Sequence, residues 1–173
     1  MKRIIFLVML GIIIAGCQQK QEPKSEYQAP SGQIQMERDL KLAQDAVTVD
    51  PKNVNAWIQL GNISMDMARY PEAIDAYQKA LELDAGNVDV RVDMGTCYKN
   101  IGKPDIALKE YKKAVEINPN HALAHANMGI VLAYDLKDKA QAIKEFEKYL
   151  QLAPNAPNAG QVRQEIEKLK ASK

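Results

Sequence analysis

Two histidines are the residues whose types and spacing first suggest chemistry. His121 and His125 lie four positions apart, so on a helix they would share one face, and such a pair can ligate a metal ion. A metal site needs further ligands, and only Asp89 or Asp93, from an earlier part of the chain, is a candidate. We therefore expect packing and surface roles for the two histidines and predict no metal or other cofactor.

Other sequence patterns that indicate catalysis are missing from the chain. The sequence contains no nucleophile elbow, no glycine-rich phosphate-binding loop and no paired cysteines at metal-ligand spacing. The sequence therefore predicts that the protein is not an enzyme.

The elements that must position these residues repeat along the chain every 34 residues. Gly61, Gly95 and Gly129 keep this interval. The same interval relates Ala73 to Ala107, Tyr77 to Tyr111, Ala80 to Ala114 and Leu83 to Ile117, whereas Ala142, Phe146, Leu152 and Pro154 of the third copy arrive one residue late. The delay predicts a one-residue insertion in the turn near 135–139. A fixed period of this length is typical of a solenoid, in which each unit buries its apolar face against its neighbours.

The landmark residues have the pattern of a known repeat. Trp57, Leu60 and Gly61, followed by Ala73, Tyr77 and Ala80, resemble the tetratricopeptide repeat (TPR), a helix–turn–helix hairpin of 34 residues. The resemblance covers 54–156 and implies an all-α fold, a right-handed α-solenoid with a capping helix at each end. Where the copies differ, Arg91 and His125 replace Trp57, while Ser64 and Leu132 replace the aromatic Tyr98.

Glycine in the first helix of each unit costs about 1 kcal/mol relative to alanine. We interpret it as a place where a neighbouring helix approaches the backbone, with Ala73 and Ala107 as the expected partners. The large residues Trp57, Tyr77, Tyr98, Tyr111 and Phe146 are expected to fill the space between hairpins. Cys97 matches Ile63 and Val131 of the other copies, which predicts a small buried apolar residue and not a reactive thiol.

The N-terminus has the form of a secretory signal. Lys2 and Arg3 precede an apolar run over 4–15, which is shorter than the roughly 20 residues that a transmembrane helix needs. The run ends at Ile14, Ala15, Gly16 and Cys17, which resembles the lipobox of bacterial lipoproteins. The resemblance implies cleavage before Cys17, lipidation of that cysteine and anchoring on the extracytoplasmic side of a membrane in the bacterial cell envelope, facing the periplasm from the outer membrane in a Gram-negative cell. An uncleaved N-terminal anchor is the alternative.

Seven segments make up the predicted organisation. A signal peptide over 1–16 precedes the lipidated cysteine and a disordered tether over 17–33, which is rich in Gln, Glu, Lys, Ser and Pro. An N-terminal capping helix (34–53), three TPR hairpins (54–87, 88–121 and 122–156) and a C-terminal capping helix (157–173) follow. Within them, helices are predicted over 34–49, 54–67, 70–83, 88–101, 104–117, 122–135, 139–152 and 158–171.

The charge balance argues against one class of partner. The net charge of the chain is +1, and loss of Lys2 and Arg3 with the signal would leave 21 basic and 22 acidic residues. A protein that binds nucleic acid presents an excess of basic charge. Nucleic acid is therefore not a predicted partner.

The first helices of the hairpins are expected, from the geometry of the repeat, to line a concave groove. Its predicted residues are Asn55, Ile58, Asn62, Met65, Asp66, Asp89, Val92, Asp93, Thr96, Lys99, Asn100, Leu123, Ala126, Asn127, Ile130 and Tyr134. Some TPR proteins hold a peptide's C-terminal carboxylate with a clamp of Lys, Arg and Asn, but this chain has Ile58, Asp93 and Leu123 at those positions. We expect instead an extended or helical segment with apolar anchors and a basic flank.

These features predict a membrane-anchored scaffold or adaptor of the bacterial cell envelope that binds a protein or peptide in its groove. Tethering such a groove to a membrane raises the effective concentration of its partner there. A second hypothesis is a self-assembling structural spacer of an envelope complex, in which copies join through their end helices.

Overall fold

The computed structural model describes residues 31–172, which form a row of helical hairpins. The helices are α1 (Ser31–Val49), α2 (Val54–Asp66), α3 (Tyr70–Leu83), α4 (Val88–Asn100), α5 (Pro104–Ile117), α6 (Ala122–Ile130), α7 (Lys139–Leu152) and α8 (Ala159–Ala171), and a π-helical turn, Val131–Asp135, continues α6. α2 and α3, α4 and α5, and α6 and α7 pair as hairpins, and each hairpin packs against the next through α3 with α4 and α5 with α6. The architecture is the predicted right-handed α-solenoid, with α1 and α8 at its ends.

Helix boundaries agree with the predicted ones to within a residue, with two exceptions. α1 begins at Ser31, three residues before the predicted start, so 31–33 belong to the helix and not to the tether. The second exception is the π turn that ends the first helix of the third hairpin. The predicted signal peptide, Cys17 and the rest of the tether lie outside the described residues. Within 31–172, none of the helices combines the length and the apolar character needed to cross a bilayer.

A side-chain cap starts the first helix of every hairpin. Asn53 and Asn87 each accept a hydrogen bond from the backbone N–H three residues further on, at 3.2 and 3.1 Å. His121 takes the same place in the third hairpin, where its Nδ1 accepts from the Ala124 N–H at 3.1 Å. Because such a cap is worth about 1 kcal/mol, these three residues fix where each hairpin begins.

The connection between hairpins is also tied to the helix that follows it. Trp57 donates its indole N–H to the backbone carbonyl six residues earlier, at 2.9 Å. Arg91 and His125 bond the equivalent carbonyls through a guanidinium N–H at 3.0 Å and through Nε2 at 3.1 Å. The two replacements of Trp57 therefore preserve an N–H donor at this position while changing everything else about the side chain.

Each hairpin turn ends its first helix with a residue in the left-handed conformation: Ala68 (φ 55°), Gly102 (φ 73°) and Lys137 (φ 61°). In the first turn, the Ala68 N–H bonds the Met65 carbonyl and the N–H of the next residue bonds the Ser64 carbonyl, both at 2.8 Å. This pair of bonds is the Schellman motif, and glycine suits its left-handed position best. Ala68 and Lys137 therefore carry a conformational cost that Gly102 does not.

The third hairpin holds its extra residue inside its first helix. Three residues separate the two helices in every hairpin (67–69, 101–103 and 136–138), so the turn is not longer in the third. The Leu136 N–H bonds the Val131 carbonyl five residues back, at 3.0 Å, which is the hydrogen-bond pattern of a π turn. The prediction of an insertion in the turn near 135–139 is therefore wrong, because widening one helical turn adds a residue without lengthening the connection.

Aromatic side chains of the same hairpin explain the repeated glycines. The contacting pairs are Gly61 with Tyr77, Gly95 with Tyr111 and Gly129 with Phe146. A Cβ on Gly95 would lie 2.5 Å from a carbon of the Tyr111 ring, so only glycine fits. The predicted close approach is confirmed, and the nearest side-chain atoms belong to these aromatic residues; the predicted partners, Ala73 and Ala107, are fully buried in the two core clusters. Tyr98 does lie between hairpins, because it packs against both apolar core clusters.

Candidate functional site

The inner surfaces of α2, α4, α6 and the π turn hold the predicted groove residues, and fourteen of the sixteen are accessible. Val92 and Ala126 are buried, with 4% and 7% of their surface exposed, although Ala126 lines a cavity together with Ile130 and Tyr134. Val92 belongs to the core cluster shared with the third hairpin, where neighbouring first helices pack closely enough to cover it. The remaining fourteen are called the groove below: Asn55, Ile58, Asn62, Met65, Asp66, Asp89, Asp93, Thr96, Lys99, Asn100, Leu123, Asn127, Ile130 and Tyr134.

A line of hydrogen bonds follows the floor of the groove. The Tyr77 hydroxyl donates to Asn62 Oδ1 at 2.8 Å, and the Tyr111 hydroxyl lies 3.1 Å from Thr96 Oγ1. Asn127 Nδ2 donates to the same Thr96 oxygen at 3.4 Å, which links the second and third hairpins. Because its Oδ1 is occupied, Asn62 presents its amide N–H groups to a ligand, and the tyrosines of the second helices hold the groove side chains in place.

Three aspartates give the first two hairpins a negative groove. Asp66 and Asp89 are exposed, and Asp93 is half-buried between them. Burial raises the pKa of Asp93 above its ordinary value; repulsion from Asp89 and then Asp66 adds to this effect, while His121 opposes it. The His121 Nε2 lies 2.9 Å from an Asp89 carboxylate oxygen, so the imidazole partly offsets one of the charges. A ligand that places a cation near Asp93 would relieve the repulsion.

Helix α8 extends the groove beyond the third hairpin. Ile130 and Tyr134 line a cavity of about 340 Å³ together with Val162 and Glu165 of α8. The neighbouring Glu165 carboxylate, with a smaller effect of burial, raises the pKa of Tyr134 to about 12. Val162 and Glu165 were not among the predicted groove residues, so sequence reasoning missed their part in this cavity. The available signal was that Val162 and Glu165 are three residues apart and therefore share one face of α8.

Exposed apolar side chains supply anchor positions in the groove. Leu123, in α6, is 62% exposed, and Tyr134, in the π turn, is 46% exposed. Such residues bury their surface only when a partner covers them, and burial of apolar surface is favourable by about 25 cal/mol per Å². The groove therefore combines an acidic half, in the first two hairpins, with an apolar half in the third.

Both histidines are engaged in bonds within the protein. His121 uses one nitrogen for the helix cap and the other for Asp89. His125 is 8% exposed, and its Nδ1 lies 2.7 Å from a Glu145 oxygen while its Nε2 bonds the Pro119 carbonyl. Over residues 31–172, His, Cys, Asp and Glu side chains do not meet in groups of three or more that could hold a metal ion. The arrangement accounts for the two histidines as capping and packing residues.

Cys97 has the predicted environment of an apolar residue. Its side chain is fully buried in the core cluster of the first two hairpins. Burial, and after it the charge of Asp93, raises the pKa of the Cys97 thiol to about 12. Because the thiolate is the reactive form of cysteine, this side chain is not a nucleophile at neutral pH.

The family of the chain follows from its sequence over the hairpins just described. Residues 26–160 match the family described as the TPR domain of cytochrome c-type biogenesis protein H. The chain belongs to this family. No curated protein matches the chain at a significant level. TPR domains are generally non-catalytic interaction modules, and the TPR fold of this chain suggests a protein–protein interaction adaptor.

Solved structures of other TPR proteins are similar to the chain. The crystal structure of MamA superposes with a TM-score of 0.72 at 22% identity, over 80% of this chain and 81% of MamA, a likeness that shows the fold alone. The first TPR of Spaghetti (RPAP3), bound to the HSP90 peptide SRMEEVD, has a TM-score of 0.65 at 26% identity, over 71% of this chain and 97% of the other. The first TPR domain of human RPAP3, solved by NMR, gives 0.64 and 26%, over 70% and 94%.

Proposed function

We propose that the protein is a membrane-anchored adaptor whose groove binds a basic, partly apolar segment of another polypeptide. The observation that carries the proposal is the division of the groove into an acidic half and an apolar half. Asp66, Asp89 and Asp93 supply negative charge beside the single groove lysine, Lys99, whereas Leu123 and Tyr134 offer uncovered apolar surface. A segment with cationic side chains at one end and apolar ones at the other matches both halves.

The chemistry of the groove argues against an acidic peptide of the kind seen with RPAP3. That domain is bound to the HSP90 peptide SRMEEVD, which carries three acidic side chains besides its C-terminal carboxylate. Here Ile58, Asp93 and Leu123 stand where a carboxylate clamp would need cationic or amide side chains. Asp93 would repel an acidic terminus, so the two domains are expected to prefer ligands of opposite charge.

The predicted lipid anchor gives the adaptor its location. Cys17 lies outside the described residues, and its sequence context supports lipidation and attachment to the extracytoplasmic face of a membrane in a bacterial envelope. The family is described by a protein of cytochrome c-type biogenesis, and assembly of such cytochromes is accordingly one setting in which a membrane-held groove of this kind would act. The anchor would keep the groove near partners that are themselves at the membrane.

The groove proposal is tested with two synthetic helical peptides of equal apolar content, one bearing lysines and the other glutamates. We expect the lysine peptide to bind the full chain at least tenfold more tightly. The variant Asp66→Asn with Asp89→Asn should weaken that peptide about tenfold at low salt, and much less at high salt, because each exposed ion pair contributes about 0.2–1 kcal/mol and is screened. The control is Glu82→Gln with Glu116→Gln, which removes two exposed acids outside the groove. Equal affinity for both peptides, or an equal loss in the control, would refute the proposal.

The anchor is tested separately by the variant Cys17→Ser. The unaltered chain should sediment with membranes and carry a mass increase from lipid, and the variant should lack the added mass. A variant that is processed and modified like the unaltered chain would rule out lipidation at this residue while leaving the groove proposal intact.

Self-assembly remains a second candidate because α1 carries exposed apolar residues. Ile34 is 47% exposed and Leu42 is 61% exposed, and both lie on a helix that packs mainly against α2 within residues 31–172. Light scattering of the full chain in lipid nanodiscs should show more than one copy per assembly if α1 joins copies, and Leu42→Lys should restore single copies. A single copy at all concentrations would remove this candidate.

A further inference from the structure

Helix α8 stands where the first helix of a fourth unit would stand. Val162 and Glu165 follow two groove residues of α6 by 35 residues, which is the interval between the second and third copies. Arg163 donates a guanidinium N–H to the Pro154 carbonyl at 3.0 Å. This carbonyl is equivalent to those that the first helices of the three hairpins bond. The inner surface of the solenoid therefore continues from α6 onto α8.

The gap between α6 and α8 differs in chemistry from the gap between α4 and α6. Across the earlier gap, Asn127 Nδ2 donates to Thr96 Oγ1 at 3.4 Å, so a hydrogen bond bridges the two first helices. The equivalent residues across the later gap are Val162 and Ile130, whose apolar side chains cannot form that bond. Both line the cavity of about 340 Å³ described above. The later gap therefore has an apolar wall and space for a ligand.

A single carboxylate sets the charge of this cavity, which is called the Glu165 cavity below. Among its lining residues within 31–172, Glu165 alone carries a charge. The ion-pair partner of Glu165 is Lys168, at 3.5 Å, and the lysine side chain is 72% exposed. So exposed a pair contributes little, and the carboxylate can pair with a ligand instead. The same carboxylate raises the pKa of Tyr134 to about 12, which shows that the cavity disfavours negative charge.

The other lining residues indicate the shape of a suitable cation. Ile130, Phe146 and Val162 offer apolar surface, which a compact ammonium ion would leave uncovered. A cation on a long aliphatic stem covers such surface while its charged end reaches a polar group. Gln161 is an exposed lining residue whose amide oxygen is a further acceptor near the carboxylate of Glu165. A planar guanidinium matches this set, because it can donate two bonds to one carboxylate and others to an amide oxygen.

We propose that the Glu165 cavity is a binding site for an arginine side chain of the partner polypeptide. The aliphatic stem would lie against Ile130 and Val162, and the guanidinium would pair with Glu165. The inference rests on the proposed function in that a polypeptide occupies the inner surface, but it does not depend on the acidic half of the groove. It adds a second cationic position to the bound segment, beyond the apolar half and at the opposite end from Asp66 and Asp89.

The direct probe is propylguanidinium, which is the arginine side chain from Cβ onward. Its matched controls are propylurea, which has the same stem and a neutral head, and methylguanidinium, which has the same head and almost no stem. The methyl signals of Val162 report binding in NMR spectra of the full chain. We expect propylguanidinium to bind with a Kd on the order of 1 mM. Each control should bind about tenfold more weakly, since one lacks the charge-assisted bonds and the other lacks the apolar contact.

Variants decide whether the carboxylate of the cavity is responsible. Glu165→Gln should weaken propylguanidinium about tenfold and leave propylurea unchanged. The control is Glu167→Gln, which removes an exposed acid of α8 that does not line the cavity and should change neither affinity. Asp66→Asn with Asp89→Asn should also leave the response of the Val162 signals unchanged. Undiminished binding in Glu165→Gln, or equal affinities for propylguanidinium and propylurea, would overturn the proposal whatever the two aspartate changes do.

Recognition of a polypeptide is tested with helical peptides that have a lysine-bearing end, an apolar centre and, at the other end, either arginine or its neutral isostere citrulline. The distance between the two ends is varied. At the matching distance, the arginine peptide should bind the full chain about tenfold more tightly, and the difference should disappear in Glu165→Gln. If propylguanidinium binds but no arginine peptide exceeds its citrulline version, the cavity takes small guanidinium ions only and a partner arginine is ruled out. Equal affinity for the lysine and glutamate peptides of the groove test would refute the acidic half alone, because the Val162 signals report this cavity separately.

Discussion

The first joint of the solenoid, where α1, α2 and α3 meet, and the second, where α3, α4 and α5 meet, occupy equivalent places in the 34-residue repeat but have different contents. At the second joint, Glu110 is 6% exposed and receives Arg91 at 2.9 Å and Lys113 at 2.7 Å. At the first joint the place of the glutamate is taken by Ala76, and a cavity remains. The difference teaches that the repeated glycines, caps and turns determine the architecture, whereas the residues that break the repeat determine what each joint can bind.

The largest expected effect comes from removing the buried carboxylate of the second joint. Glu110→Ala should destabilise the protein by about 3 kcal/mol, because it leaves the nearly buried Arg91 without its charge partner. Denaturant unfolding followed by circular dichroism measures the loss. Glu116→Ala, an exposed acid on the same helix, is the control and should change stability by less than about 0.5 kcal/mol. A loss of similar size in the two variants would show that the buried ion pair of the second joint contributes no more to stability than an exposed acid.

The close contact shared by the hairpins gives the next effect. Gly95→Ala should cost about 2 kcal/mol, because its Cβ would lie 2.5 Å from the Tyr111 ring and would force that side chain to move. Gly160→Ala in α8 is the matched control. A Cβ there meets nothing within 4 Å, so this change should stabilise the protein by up to about 1 kcal/mol through helix propensity. Thermal unfolding of both variants distinguishes packing from propensity, and a gain in stability from Gly95→Ala would contradict the packing account.

The hairpin turns predict a pair of smaller effects with opposite signs. Gly102→Ala should lower stability by about 1 kcal/mol, because alanine is strained at a φ of 73°. Ala68→Gly should raise stability by up to about 1 kcal/mol, since it relieves the same strain at φ 55°, less the entropy that glycine adds to the unfolded chain. Urea unfolding measures both. Changes of the same sign would mean that the two turns do not have equivalent backbones.

The groove gives the smallest effect, which depends on pH. Burial holds the pKa of Asp93 above its ordinary value of 3.8, so ionisation of this residue destabilises the folded state. Asp93→Asn should therefore stabilise the protein at pH 7, by less than about 1 kcal/mol for a half-buried group. The gain should shrink as the pH falls through the raised pKa, and it should vanish below about 3.8, where both states are protonated. Unfolding at several pH values measures it, with Asp75→Asn as the exposed control. A gain that persists at pH 3 would contradict the electrostatic explanation.

Sequence reasoning recovered the helices because their signals are local. Asn53 and Asn87 sit at helix starts, Gly102 sits at a helix end, and the 34-residue period fixes the rest. Local patterns do not say which side chain lies nearest a given glycine, so the contacts of the glycines with Tyr77, Tyr111 and Phe146 were not predicted, although a close approach at the glycines was. The aromatic rings on the second helices contact the glycines of the first helices, and this contact depends on how the two helices of a hairpin pack against each other.

The groove was harder to predict than the helices because its membership depends on how neighbouring helices meet. Val92 was predicted to line the groove, yet it is buried in the core cluster shared with the third hairpin. The π turn was missed for a related reason. The repeat residues of the third copy that arrive one position late show that a residue was added, but they do not distinguish a longer turn from a widened helical turn.

The bonds that Trp57, Arg91 and His125 make to the carbonyls behind them have a consequence for recognition. Each bond ties the connection that precedes a hairpin to the first helix of that hairpin, so the curvature of the inner surface is set before a ligand binds. A partner then binds a rigid surface, so less of the binding free energy is offset by ordering of this protein. Selectivity in such a protein comes from the fit to one fixed shape and not from the ability to adapt to many.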